Sequence, residues 1–286
     1  MTTISASVVL ASLNSGTGDV LTTMLLRYPR FIHAELMTHR VFSRNAASSR
    51  AIPVAKLIEE AIHDPAKPLF WYKNQPGMQG REAMEANDMY EAILQWDCAR
   101  LEAIKRAEIM AKLGVHKQVV NRILEPYLHI TTLVSATEWE NFFTLRMHED
   151  AEPHFRQLAA AMYMAKSEHI GVQILRPGDW HLPFAGGPYV LDNPSIEQVQ
   201  KSVACCASVS YKTVDGFDMT QEKARRICEK LKSVPMHASP MEHVAVADAF
   251  YNGNYLHPTN SRNFKGFIQL RAKVELDEFG LINQKG

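Results

Sequence analysis

The sequence lacks the cysteine patterns of metal-binding and disulfide-rich proteins. Its 286 residues include only four cysteines, and none of them stands in a CxxC or Cys/His spacing that would hold zinc. Two of the four are adjacent, which is a poor basis for disulfide pairing. We therefore expect no metal site, and four reduced cysteines that pack as small hydrophobic residues: Cys98, Cys205, Cys206 and Cys228.

Membrane-spanning and strongly charged segments are also missing. No basic segment followed by an apolar run opens the chain, and no stretch of 18 apolar residues occurs in it. Lys plus Arg and Asp plus Glu balance at 31 each, so the formal net charge is zero. A protein without excess positive charge is a poor general binder of polyanions. These absences predict a soluble, cytoplasmic protein whose partners include neither a membrane nor a nucleic acid polymer.

A hydrophobic content of 46% suffices for one large domain or two small ones. We expect a main body at residues 1–190, and a segment at 191–286 whose helices and last strand pack onto the same domain. A capping box is predicted at Thr137–Glu140, opening a further helix. The predicted strands cover 17–28 and 129–136, and the predicted helices cover 29–40, 53–64, 81–113, 116–124, 152–167, 195–207 and 220–232.

Hydrogen-bond donors are unusually dense at residues 38–50. The donors of this short stretch include His39, Arg40, Ser43, Asn45, Ser48, Ser49 and Arg50. Guanidinium groups bind phosphate in a bidentate manner, and hydroxyl groups satisfy the remaining oxygen lone pairs. No P-loop lysine and no GxGxxG occurs, so the common phosphate-binding loops are excluded. The stretch is either an anion-binding loop or an ordinary solvated polar loop.

The spacing His39-Arg40-x-x-Ser43-x-Asn45-x-x-Ser48-x-Arg50 resembles the signature of the flavin-dependent thymidylate synthases. The resemblance implies an α+β fold in which an antiparallel or mixed sheet is flanked by long helices. It also implies FAD as cofactor and a homotetramer in which subunits share the active sites.

Two downstream segments extend this resemblance. Residues 114–126 are similar to the family segment ending in Arg-x-x-Leu-Pro, which makes Arg122 a nucleotide contact, although Glu125 interrupts the Leu-Pro pair. Residues 135–155 resemble the helix that carries a flavin-contacting Asn, here Asn141, and a pyrimidine-binding Arg, here Arg146.

A third similarity is out of order. Residues 203–211 and 236–243 resemble pieces that precede the arginine-rich motif in ordinary members, yet here they follow it. A circularly permuted arrangement explains this order, because permutation is tolerated when the old termini lie close together. By this resemblance Ser210, His237, Ser239 and Glu242 face the flavin.

Some positions depart from the family pattern. Thr38 replaces the first arginine of the motif, and Glu35 replaces a glutamine. A carboxylate beside a phosphate repels it unless a cation intervenes or the carboxyl group is protonated. Gln269 and Arg271, two residues apart on a predicted last strand, are candidate replacements.

The resemblance implies reductive methylation of dUMP to dTMP, with methylenetetrahydrofolate as one-carbon donor and NADPH as reductant of FAD. The implied dUMP contacts are Glu35, Ser48, Ser49, Arg50, Arg122 and Arg146, of which Arg146 is also catalytic. The implied FAD contacts are His39, Arg40, Asn45, Asn141, Ser210, His237, Ser239 and Glu242. Two alternatives stay open: a flavin-dependent enzyme with dCMP as substrate or a hydroxymethyl product, and a non-catalytic nucleotide- or flavin-binding protein.

Overall fold

A five-stranded mixed sheet forms the centre of the main body. The computed structural model describes residues 3–185, 194–209, 219–233 and 235–275. The strands are β1 (Ser5–Asn14), β2 (Val20–Pro29), β3 (Ser43–Ala46), β4 (His129–Ala136) and β5 (Val172–Leu175), in the order β3-β4-β2-β1-β5. Neighbours are antiparallel except β1 and β5, which are parallel.

Helices cover one face of this sheet. Large apolar side chains at every second residue of β2 point to that face, and the helices bury them. Met24, Leu26 and Tyr28 point to the same face, as the period of a strand requires, and are fully buried. They pack in one core with Phe155 and Leu158, which belong to helix α6 (Pro153–Ser167). The intervening helices are α1 (His33–Leu36), α2 (Val54–His63), α3 (Ala86–Lys112), α4 (Lys117–Val120) and α5 (Glu140–Arg146).

The carboxy-terminal segment covers the opposite face of the sheet. It contains a second, three-stranded antiparallel sheet in the order β10-β7-β6. Its elements are β6 (Trp180–His181), α7 (Ile196–Ala207), α8 (Gln221–Lys232), β7 (Ala245–Ala247), a small hairpin of β8 (Phe250–Tyr251) and β9 (Asn254–Tyr255), β10 (Phe267–Gln269) and α9 (Leu270–Glu275). Cys206 of α7 packs with Leu133 of β4, which joins the carboxy-terminal segment to the first sheet through apolar contact.

A chain of buried polar side chains also connects the two sheets. His181 of β6 is hydrogen-bonded to Ser12 (2.8 Å) and Thr23 (2.9 Å). Thr23 is bonded to Ser135 (2.6 Å), and Ser135 to His243 (2.8 Å). Burial lowers the pKa of both imidazoles to about 3, so both are neutral.

The architecture confirms the predicted α+β fold with a mixed sheet. Most predicted elements are present within two or three residues of their predicted ends: the strands at 17–28 and 129–136 and the helices at 53–64, 152–167, 195–207 and 220–232. The strand β1 was not predicted from the sequence pattern. The division at residue 190 stays a prediction. None of the described helices combines the length and the apolar character needed to cross a membrane.

Three predicted helices are shorter than expected. The helix expected over 29–40 is a 3-10 turn followed by the four-residue α1. The helix expected over 81–113 begins only at Ala86, because Ala83 pairs with Tyr72 in an isolated β-bridge. The helix expected over 116–124 consists of α4 followed by a 3-10 turn.

Two further local predictions are wrong. The hydroxyl group of Thr137 does not cap the next helix but accepts a hydrogen bond from the backbone of Lys265 (2.9 Å). Gln269 is the last residue of β10 and Arg271 lies in α9, so the two do not share one face of a strand.

Candidate active site

The guanidinium group of Arg146, at the carboxy-terminal end of α5, is the best-anchored cation of the candidate site. Its Nε donates to Nε2 of His39 (2.7 Å), and its Nη2 donates to Oγ1 of Thr38 (3.0 Å). Its Nη1 lies 4.0 Å from a carboxylate oxygen of Glu35, and the group stacks 5.0 Å from the centre of the Phe155 ring. The predicted pyrimidine contact is therefore held in one orientation by four neighbours.

His39 acts here as a neutral hydrogen-bond acceptor. Burial lowers the pKa of its imidazole to about 4, with smaller contributions from the charges of Arg146 and Arg44. The ring packs edge-to-face on Phe142 at 4.9 Å between centres. Since Arg146 donates to Nε2, the neutral ring carries its proton on Nδ1. An acceptor without charge fixes the guanidinium and leaves its positive charge available.

The surroundings of Glu35 shift the pKa of its carboxyl group in opposite directions. Burial and the charge of Glu152 raise its pKa, while Arg146 and His154 lower it. The predicted need for a cation beside Glu35 is met by Arg146. No hydrogen bond of the described residues joins Glu35 or Thr38 to Gln269 or Arg271. The suggested compensation by those two residues is therefore not made within one chain.

Arg146 and Glu35 line a cleft of about 480 Å³. One wall is the loop at residues 72–80, and the other is the turn between α5 and α6. The acidic side chains of the lining are Glu35, Glu149, Asp150 and Glu152, against the arginines Arg146 and Arg156. Because acids outnumber cations, the cleft suits a neutral ring better than a phosphate.

Two other predicted nucleotide contacts, Ser49 and Arg122, meet around the carboxylate of Glu125. Ser49 Oγ donates to a carboxylate oxygen of Glu125 (2.6 Å), and Arg122 Nη1 donates to both oxygens (3.1 and 3.4 Å). Arg30 Nη2 lies 3.3 Å from the same carboxylate. Arg50 follows Ser49 directly and is exposed, and no ion pair of its side chain is present in the described part of the chain. Half-buried Ser48 completes this turn.

The carboxy-terminal segment lies against the arginine-rich motif. Asn45 Nδ2 donates to the carbonyl oxygen of Cys206 (2.5 Å), and Gln269 Nε2 donates to Ser43 Oγ (2.9 Å). Glu242, whose carbonyl accepts from Gln269 at 3.3 Å, forms an ion pair with Arg271. Segments at 203–209 and 236–243 thus adjoin the motif in space, as a permuted arrangement requires, although they follow it in the chain.

Other predicted flavin contacts are exposed: Arg40, Asn141, His237 and Ser239. The prediction for Ser210 falls outside the described residues. We call Arg146 with its neighbours Glu35, Thr38, His39 and Phe155 the Arg146 group, and Arg122 with Arg30, Ser49 and Glu125 the Arg122 group. Within one chain, no hydrogen bond or ion pair of the described residues links the Arg146 group to the Arg122 group.

Sequence reasoning did not single out Arg44 or Arg30. Arg44 Nη1 donates to the backbone carbonyls of Leu36, Met37 and His39 at 3.1, 2.8 and 3.0 Å. It thus ends α1 and sets the position of His39. The sequence signal that could have identified Arg44 is its place inside the arginine-rich motif, between Ser43 and Asn45, at a position where the motif specifies no residue type.

The sequence profile of the family described as thymidylate synthase complementing protein matches residues 19–169, just over half of the chain. Two solved structures of the UMP/dUMP methylase PolB from Streptomyces cacaoi are similar. The one bound with 5-Br UMP has 16% identity and a TM-score of 0.48, covering 59% of this chain and 90% of its own. The one bound with 5-Br dUMP has 14% identity and a TM-score of 0.45, covering 58% and 91%. No match is found among curated proteins.

Proposed function

Because the chain belongs to the family of thymidylate synthase complementing proteins, we propose that it is a flavin-dependent methylase that converts dUMP to dTMP. The family match includes the arginine-rich motif and confirms the resemblance on which the expectation was based. Methylenetetrahydrofolate would supply the one-carbon unit. NADPH would reduce FAD, and the flavin would supply the hydride.

Arg146 is the observation that carries this proposal. Its side chain is fixed by His39, Thr38 and Phe155 and lines a cleft large enough for a pyrimidine ring. Negative charge develops on a uracil carbonyl oxygen when the ring is attacked. A fixed guanidinium stabilises that charge without having to reorganise. Arg146 would therefore both bind the ring and lower the barrier.

The phosphate would bind at the turn formed by Ser48, Ser49 and Arg50, together with Arg122. The guanidinium of Arg50 forms no ion pair with the described residues and is thus available for such a contact, and hydroxyl and amide groups of the turn supply further donors. The separation of this turn from the Arg146 group within one chain supports a site shared between subunits of a homotetramer.

The residues present fit a flavin. Arg40 and Asn141 are exposed donors with no hydrogen-bond partner in the described part of the chain, and such groups suit the diphosphate and the ring carbonyls of FAD. Arg40 and Asn141 would hold the flavin together with His39, Asn45, His237, Ser239 and Glu242.

One observation favours a second candidate, a methylase of cytosine nucleotides. Glu35 lies beside Arg146, so the cleft offers a carboxylate acceptor next to a guanidinium donor. Carboxylates accept hydrogen bonds from the amino group of cytosine.

Product analysis distinguishes the candidates. The FAD-loaded protein is incubated with methylenetetrahydrofolate, NADPH and either dUMP or dCMP, and the nucleotide product is identified by mass. We expect dTMP from dUMP. A methylated or hydroxymethylated product from dCMP alone would support the second candidate, and binding of dUMP without any product would indicate a non-catalytic binding protein.

A further inference from the structure

The carboxylate of Glu125 lies among cationic and hydroxyl donors. Its oxygens accept from the hydroxyl group of Ser49 at 2.6 Å and from Arg122 at 3.1 and 3.4 Å, and Arg30 lies 3.3 Å away. Two guanidinium groups and a hydroxyl group converging on one anion are the donor set by which proteins recognise a phosphate. Here the chain itself supplies the anion.

The group is accessible from solvent on the side of Arg122. That side chain is 55% exposed, whereas those of Glu125 and Arg30 are 22% and 17% exposed. An anion can therefore approach Arg122 and the neighbouring, exposed Arg50. At Arg122, however, it meets a donor that Glu125 already engages.

We propose that Glu125 is an internal anion that competes with the phosphate of the substrate for Arg122 and Ser49, and so determines how strongly the protein prefers a nucleotide to a nucleoside. This inference rests on the proposed function, because it assigns the phosphate to this turn. Glu125 lies three residues from Arg122 in consecutive 3-10 turns, so its carboxylate is held beside the guanidinium at a high effective concentration. A dissolved phosphate must displace it before using the same donors.

Charge balance gives the direction of the effect. Arg30, Arg50 and Arg122 carry three positive charges at this turn, and Glu125 neutralises one of them. Glu125→Gln keeps the side-chain length and an oxygen that accepts from Ser49. It removes the charge that engages the two guanidinium groups, which then become available to phosphate.

The test measures binding of inorganic phosphate, dUMP and deoxyuridine to the FAD-loaded full chain by calorimetry. Glu125→Gln should bind phosphate and dUMP about tenfold more tightly than the wild type, since a charged hydrogen bond is gained, and should bind deoxyuridine equally. Glu59→Gln is the matched control: Glu59 is exposed on α2, and the change removes the same charge. It should match the wild type with all three ligands.

Equal phosphate affinity in the wild type and in folded Glu125→Gln would overturn the proposal. If Glu125→Gln does not fold, Glu125→Asp serves instead. It keeps the charge but withdraws the carboxylate from Ser49, so phosphate should bind more tightly by a smaller factor, and unchanged binding would overturn the proposal. Adding Arg122→Gln to Glu125→Gln should abolish the gain. If Glu125→Gln binds phosphate more tightly but no variant binds a pyrimidine ligand, the competition between Glu125 and phosphate is supported and the proposed function is wrong.

Discussion

At the scale of single residues, Arg146 owes its position to groups from two other parts of the chain. His39 and Thr38 precede β3, and Phe155 lies on α6. None of these three neighbours is a carboxylate, and Glu35 approaches only to 4.0 Å. The charge of Arg146 is thus oriented without being neutralised by a close ion pair, which is the arrangement that transition-state stabilisation requires.

Arg146→Ala should therefore affect chemistry as well as binding. We expect dUMP to bind at least about tenfold more weakly and kcat/KM to fall by about 10²–10³, as for the loss of one preorganised donor. Arg106→Ala is the control, because Arg106 lies on α3 and does not line this cleft; it should change kcat/KM by less than about threefold. Normal dUMP binding and turnover by Arg146→Ala would show that this arginine is misassigned.

Much of this residue pattern could be predicted from the sequence, because the spacing of the motif is local. The partners of each residue could not. Ser49 and Arg122 were both identified, but their meeting at Glu125 depends on two turns that are more than 70 residues apart in the chain. Likewise, nothing in the local sequence indicates that Thr137 accepts from Lys265.

At the scale of elements, the short helix α1 shows why boundaries are harder to predict than the existence of elements. Its apolar pattern continues to residue 40, but the guanidinium of Arg44 takes three backbone carbonyls that a longer helix would use internally. The strand β1 was missed because it acquires its partners only in the sheet, where it pairs with β2 on one side and β5 on the other.

Arg44→Ala should destabilise the protein. Three carbonyls lose a charged donor in a half-buried setting, so we expect a loss of about 2–3 kcal/mol in the free energy of unfolding. Urea unfolding followed by circular dichroism measures this. Arg106→Ala, which removes an exposed ion pair with Glu102 on α3, should cost less than about 0.5 kcal/mol. Similar losses in the two variants would mean that Arg44 does not hold the end of α1.

At the scale of the whole molecule, the separation of the Arg146 and Arg122 groups makes the assembly testable. If each site combines Arg146 of one subunit with Arg50 of another, then Arg50→Ala and Arg146→Ala, each inactive alone, should complement each other. After co-refolding at equal amounts, about a quarter of the sites would contain both arginines. Activity near that fraction supports shared sites, and no recovery from a mixed oligomer would place each site within one subunit.

His181 and His243, the two histidines of the polar chain between the sheets, make the stability of the molecule depend on pH. Their pKa of about 3 lies below the ordinary 6.5, so below pH 6.5 the unfolded chain binds protons that the folded protein does not. The stabilisation is complete above pH 6.5 and is lost as the pH falls toward 3, by about 1.4 kcal/mol per pH unit for each histidine.

Urea unfolding between pH 7 and pH 4.5 checks this dependence. His243→Gln, whose side chain can still form a hydrogen bond with Ser135, should reduce the slope below pH 6 by about 1.4 kcal/mol per pH unit. A slope that His243→Gln does not alter would mean that His243 does not resist protonation in the folded protein.

The polar chain between the two sheets also bears on the order of events during synthesis. Ser12, Thr23 and Ser135 leave the ribosome well before His243, the last member of the polar chain, which is 108 residues beyond Ser135. Until then the nascent sheet exposes a face destined for the interior, and exposed apolar surface of this kind promotes aggregation and is bound by chaperones. Closure of the two layers therefore awaits translation of the carboxy-terminal segment, and polypeptides released before that point would be prone to aggregate.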